Sequence, residues 1–204
     1  AEAAKANNEV DEYNKEVKLG KTIESTHPNQ KRIIRELMKI VNEPDGDIRV
    51  FPLKDRVDVW RVLIKGFGKF YEKKWFFLII EFTPEYPQHY PFFRFIKPPF
   101  HPNITDHGRI CLDTLDQNYR SDKSVRDLIG EIRLLLYEPN FDSPVDLKRE
   151  NLKSRMNEFE QTVNEWNNMN GKDTPEEWEK DWKIQPDGQI DAQNLSIADV
   201  PEGF

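Results

Sequence analysis

Cysteine is almost absent from this chain: Cys111 is the only one in 204 residues. A single thiol cannot close an internal disulfide, so stability has to come from buried apolar surface, and a reducing compartment is favoured. The expected localisation is the cytoplasm, the nucleus or both. Long apolar runs are missing as well. The longest, Trp75 to Ile80, is far short of the roughly 20 residues a membrane helix needs, so no membrane partner is expected. The opening residues AEAAKANNEV hold no apolar stretch, and no secretory signal is expected there. A basic excess is lacking too. The net charge is −7, which argues against a nucleic-acid partner. No internal repeat is visible.

The charge is also unevenly spread. Between residues 173 and 204 nine acids face only Lys180 and Lys183, so this stretch carries the whole net charge of −7 and the remainder is neutral. Such a segment reads as a solvated terminus or as a surface for a basic partner. Charged residues make up 33% of the chain, hydrophobic ones 37%, and the mean hydropathy is −0.81. One globular domain with polar segments at its ends fits these values.

Patterning locates that domain. Residues 1–28 are polar, with weak helical spacing at Val10, Tyr13 and Val17. From Asn29, Ile33, Leu37, Ile40 and Val41 share one helical face, and Pro44-Asp45-Gly46 ends the helix. β-Branched and aromatic stretches follow at Val57–Ile64, Trp75–Phe82 and Phe92–Ile96, separated by Gly66, Gly68 and the Pro84/Pro87 pair. Ser124 is placed to cap a helix with Val125, Leu128, Ile129, Ile132, Leu135 and Leu136 on its apolar face, stopped at Glu138-Pro139-Asn140. Further helical stretches are expected from about Val145 and around Phe159, Val163 and Trp166. From Gly171 the composition turns acidic and loop-like, with Trp178 and Trp182 one helical turn apart. The order predicts an α+β domain: an N-terminal helix, a four-stranded antiparallel meander and C-terminal helices.

The chemistry concentrates between the strands and the later helices. Phe100 to Asp113, FHPNITDHGRICLD, contains the lone cysteine and two of the four histidines. A lone cysteine is ordinarily a small buried hydrophobe, and Ile110 and Leu112 suit that reading. Asp106, Gly108, Arg109 and Asp113 instead make the surroundings polar and the backbone free to turn. Zinc on His101, His107 and Cys111 fits the residue types but lacks a second cysteine and paired spacing, so no metal is expected. A cysteine protease would need an oriented histidine base, and no protease signature surrounds Cys111.

His101-Pro102-Asn103, with Cys111 eight residues after the asparagine inside HPNITDHGRICLDTL, resembles the active-site signature of ubiquitin-conjugating enzymes. The resemblance extends over residues 29–172: Lys31-Arg32 with Glu36-Leu37, Trp60, Gly66, Tyr71, Tyr86-Pro87, Glu138-Pro139-Asn140, Asp142, Pro144 and Trp166 fall in order. It implies the UBC fold, with an N-terminal extension (1–28) and an acidic C-terminal extension (173–204). It also implies that Cys111 accepts ubiquitin as a thioester from an activating enzyme and gives it to a substrate lysine, usually with a ligase. The partners implied are thus ubiquitin or a similar modifier, the activating enzyme, a ligase and a substrate protein, with no cofactor and a monomeric state.

Residue roles follow from the same resemblance. Asn103 places its amide near the tetrahedral oxyanion, worth on the order of 3 kcal/mol, or holds the cysteine loop in shape. His101 and Pro102 build that loop. Asp113 and Ser143 flank the incoming amine, and a phosphate on Ser143 would add negative charge there. Lys31, Arg32 and Arg35 form the docking face for the activating enzyme.

Several positions depart from the family pattern. Gln88 stands where a phenylalanine is usual, Tyr119-Arg120-Ser121-Asp122 replaces an apolar ligase-contact stretch, Gly130 replaces a bulky apolar residue, and Phe67 follows Gly66 where proline is usual. The divergent ligase-contact positions leave a noncatalytic UBC variant that binds a modifier or ligase as one alternative. Conjugation of a Nedd-type modifier is another, because the HPNIT run with Ile110-Cys111-Leu112 and the segment Glu138-Pro139-Asn140, Phe141 and Asp142 resemble conjugating enzymes for it.

Overall fold

The computed structural model describes residues 27–53, 56–111, 115–116 and 119–182. The spacing at Val10, Tyr13 and Val17, the candidate Asp113 and the acids from Asp187 onward lie outside the described residues.

Four strands form one antiparallel sheet in sequential order: β1 (Ile48–Leu53), β2 (Arg56–Lys65), β3 (Trp75–Glu81) and β4 (Phe92–Phe95). The residue alternation of a strand sends side chains to opposite faces. Trp60, Val62 and Ile64 of β2 pair with Ile80, Leu78 and Phe76 of β3, and Phe95 and Phe93 of β4 pair with Leu78 and Ile80. All of these enter one core, shared with the helices α1 (Gln30–Asn42), α2 (Val125–Tyr137) and α3 (Met156–Asn170). Their intervening neighbours Val59, Leu63, Trp75, Phe77 and Ile79 form a second cluster on the opposite face. Every residue of β3 but the last is buried, which requires cover on both faces.

The second cover comes from a segment that composition marks as acidic loop. Residues Pro175–Asp181 form a fourth helix, α4, and bring Trp178 and Trp182 onto the outer face against Phe77. Thr174 and Glu177 make a reciprocal capping box, with Pro175 at the first helical position. The chain reaches this place because Lys172 pairs with Trp75 through two backbone hydrogen bonds (2.7 and 3.0 Å). The indole N–H of Trp178 donates to the same Trp75 carbonyl at 2.8 Å. Several acids here are ion-paired: Glu176 and Glu179 with Arg49, Asp173 with Lys74, and Asp181 with Lys172.

One other expectation needs revision, and the fourth strand of the expected meander finds its place. The helical stretch from about Val145 is a pair of short 3-10 turns, Leu147–Arg149 and Leu152–Arg155. Asn151 between them adopts a left-handed backbone (φ 57°), which prevents one continuous helix. The first strand, Ile48–Leu53, has no counterpart among the three stretches read as strands; Arg49 and Pro52 dilute its pattern. No helix among the described residues is long and apolar enough to cross a membrane.

α1 is joined to α2 by one buried carboxylate. Glu36, 1% exposed, accepts the Val125 N–H at 3.0 Å, while Ser124 accepts the Asp127 N–H. These two acceptors satisfy donors at the start of α2 that have no partner within the helix. Ahead of α1, His27 is buried and bridges two segments. Its Nδ1 accepts the Asn29 N–H, leaving Nε2–H to donate to the Thr83 carbonyl.

Candidate active site around Cys111

The residues from Phe100 to Cys111 fold into a small irregular hairpin between β4 and α2. Thr105 N–H donates to the Arg109 carbonyl at 2.9 Å and Gly108 N–H to the Thr105 carbonyl at 3.0 Å. Gly108 makes the turn with φ +85° and approaches β4 closely; a Cβ there would lie 1.8 Å from the Phe95 carbonyl oxygen. Only glycine satisfies both demands. Ile104 and Ile110 are buried in the main core and anchor the two arms.

His101 sits at the root of this hairpin, fully buried. Its Nδ1 accepts the Asn103 N–H at 2.9 Å, so Nε2 carries the proton and donates to the Leu135 carbonyl at 2.9 Å. That carbonyl is available for a simple reason. Its helical partner four residues on would be Pro139, which has no N–H. Burial, with the Arg149 charge nearby, pulls the His101 pKa down to about 4. The ring is therefore neutral at physiological pH, and with both nitrogens committed it cannot join His107 and Cys111 on a metal. Tyr71 supports the same root by donating its hydroxyl to the Phe100 carbonyl at 2.7 Å.

Asn103 is 1% exposed and braces the hairpin against the segment after α2. Its Nδ2 donates to the carbonyls of Asn140 and Ser143, both at 2.9 Å, and its Oδ1 accepts the Asn140 N–H at 2.9 Å. Both amide hydrogens are thus engaged on backbone, so donating to a reacting carbonyl oxygen requires breaking one of these bonds. The Asn103 carbonyl in turn accepts the Cys111 N–H at 2.8 Å. Pro102 contributes its carbonyl, which accepts the Val145 N–H at 2.8 Å. Cys111 itself is a free thiol of intermediate exposure. Ser143 is exposed and meets the loop through its backbone carbonyl. The site therefore gathers His101, Pro102, Asn103, Ser143 and Cys111.

The basic trio on α1 divides. Lys31 is exposed and Arg35 half-buried. Arg32 is turned inward: it pairs with Glu36 at 3.1 Å and donates to the Ser121 carbonyl at 2.9 Å. α1 is thereby tied to the segment that departs most from the family's ligase-contact sequence. There Tyr119 donates its hydroxyl to the Pro87 carbonyl at 2.6 Å, linking it to the loop that carries Gln88. On α2, Gly130 is exposed with nothing within 4 Å of a would-be Cβ. Phe67 is 41% exposed and stacks on Tyr137, their ring centroids 4.6 Å apart.

One buried residue of this region carried no signal as a site residue in the sequence. Arg149, in the first 3-10 turn, is fully buried beneath the hairpin and bonds to His101, Asp106 and Asp146. A lone arginine in a charged stretch (Lys148-Arg149-Glu150) gives no hint of burial.

Known proteins align with this arrangement. A family model described as ubiquitin-conjugating enzyme matches residues 32–167. The chain is 32% identical over 142 residues to "Ubiquitin-conjugating enzyme E2 2" of Mycosarcoma maydis, covering 67% of this chain and 77% of that protein. It is 33% identical over 140 residues to "Ubiquitin-conjugating enzyme E2 1" of Caenorhabditis elegans, covering 68% and 73%. The chain belongs to the ubiquitin-conjugating enzyme family and has its UBC fold. Both relatives are named for ubiquitin, and conjugation of a Nedd-type modifier is not favoured.

Proposed function

We propose that this protein is a transferase that carries ubiquitin as a thioester on Cys111 and delivers it to a substrate lysine. The observation that supports this most directly is the state of the sulfur: the only thiol of the chain, partly exposed, with its N–H held by the braced Asn103 backbone. In the first step the Cys111 thiolate attacks the thioester carbonyl carbon at the ubiquitin C-terminus. A new C–S bond forms, the old one breaks, and the activating enzyme's thiolate leaves. In the second step a lysine amine attacks the same carbon, a C–N bond replaces the C–S bond, and the ammonium proton is released to solvent or to a nearby acceptor. Asp113 is the acceptor that orients that amine, and Ser143 flanks its approach as well.

Docking of the activating enzyme is assigned to α1, mainly through exposed Lys31, with Arg32 and Arg35 beside it. Ligase pairing differs from the family norm, because the segment around Tyr119–Asp122 presents the exposed, mutually paired Arg120 and Asp122 instead of an apolar surface. The test is a charging reaction with ATP, activating enzyme and ubiquitin, resolved without reductant. A thiol-sensitive adduct absent from Cys111→Ala supports the reading. No adduct with the matched activating enzyme would return the chain to a noncatalytic binding role.

A further inference from the structure

We infer that Arg149 is the positioning residue that holds the cysteine hairpin in its reactive arrangement; the inference rests on the transferase reading above. Its guanidinium has no solvent exposure and uses its fork in three directions. Nε–H donates to the His101 carbonyl at 2.8 Å. One terminal nitrogen reaches Asp106 at 2.6 Å and the other Asp146 at 2.8 Å. The plane also lies over the Phe100 ring, 4.7 Å from its centroid. One cation thus binds the root of the hairpin, its tip and the segment following Ser143.

Each of these attachments leads towards the sulfur. His101 orients the Asn103 N–H, and the Asn103 carbonyl holds the Cys111 N–H. Asp106 lies within the turn from Thr105 to Arg109 that joins the two arms. Asp146 follows Val145, whose N–H fixes the Pro102 carbonyl. The cation is well compensated. Asp146 also accepts the Arg149 backbone N–H at 3.1 Å, and Lys148 adds a second positive charge on Asp106 at 2.8 Å. Burial works against ionisation of Asp106, but the hydrogen bonds from Lys148 and Arg149 outweigh it and hold the carboxyl below its usual pKa. A lysine ammonium is a point charge and cannot satisfy three acceptors lying in the plane of a guanidinium fork. Buried as it is, Arg149 offers nothing to a partner, so its loss acts on the chemical step and not on docking.

The experiment uses the full chain, with Arg149→Lys, Arg149→Met and Asp106→Asn. Thioester-loaded protein is discharged onto free lysine under single-turnover conditions. In parallel, Cys111 is alkylated with iodoacetamide in the absence of any activating enzyme, and stability is followed by urea unfolding. Arg149→Met should lower the maximal discharge rate about tenfold with the lysine KM unchanged, since a small misplacement of reacting atoms is enough for that. Arg149→Lys and Asp106→Asn should fall between it and wild type. Alkylation should accelerate severalfold in all three as the hairpin loosens under native conditions. Wild-type discharge and alkylation rates in folded variants overturn the inference, as does a raised KM at unchanged maximal rate. If Arg149→Met does not fold, the other two variants decide. If wild type does not charge at all, the transferase reading falls separately, and equal alkylation rates would then overturn the hairpin role.

Discussion

His101 makes acid sensitivity a quantitative test of how the cysteine loop is built. In the native state its ring is buried, both nitrogens are bonded, and its pKa is depressed from 6.5 to about 4. The unfolded chain takes up a proton near pH 6.5, whereas the native ring stays neutral down to about pH 4. Across that interval the unfolded state binds one more proton than the native state, so unfolding free energy falls as pH falls. Each unit is worth about 1.4 kcal/mol, giving a loss of about 3 kcal/mol between neutrality and pH 4. With a denaturant slope of about 2 kcal/mol/M, the urea midpoint should drop by roughly 1.5 M. Other carboxylates titrate near the lower limit, so the measurement is a difference between wild type and His101→Gln. Asp106 contributes little within this range: its folded-state pKa is depressed, and its stabilisation is lost only as pH falls below the ordinary carboxylate value. Urea unfolding followed by tryptophan fluorescence at steps through this range should give a steeper acid dependence for wild type. Parallel profiles for the two proteins would refute the buried neutral ring.

Further outcomes follow from individual contacts. Gly130→Ala should stabilise the protein by about 1 kcal/mol, because an exposed mid-helix glycine with open space around it gives only backbone entropy to the unfolded state; a lower melting temperature would contradict this. Trp178→Ala removes a fully buried indole and its bond to Trp75, and should cost about 3–5 kcal/mol in urea unfolding while leaving Cys111 charging intact at low temperature. A near-neutral result would mean that α4 does not cover the sheet. Asn103→Ala removes three hydrogen bonds between the hairpin and residues 140–143. It should slow discharge onto lysine while charging proceeds, as read from paired single-turnover assays; equal loss of both steps would count against that division.

The fold was legible where local pattern and burial agree. Trp75 to Ile80 reads as a buried strand because nothing polar interrupts it, and the helix after Ser124 reads from its cap and its apolar spacing. β1 was less visible, since Arg49 and Pro52 break the alternation that marks a half-buried strand. The helix at Pro175–Asp181 is hidden for a different reason. Thr174-Pro175-Glu176-Glu177 is a helix start, but the net acidity of the segment masks it, because two of the cations that neutralise it, Arg49 and Lys74, lie far away in sequence. The same holds at the site. His101, Asn103 and Cys111 share one short segment and could be found together. Two of the three acceptors of Arg149, on Asp106 and His101, lie 43 and 48 residues away, beyond any local window.

The central claim is that the Cys111 sulfur accepts an acyl group. Intact mass spectrometry of the protein after incubation with ATP, activating enzyme and ubiquitin tests this most directly. The account predicts one added ubiquitin mass, less one water, removed by dithiothreitol and absent from Cys111→Ala. An adduct that survives dithiothreitol, or one still formed by Cys111→Ala, would contradict it.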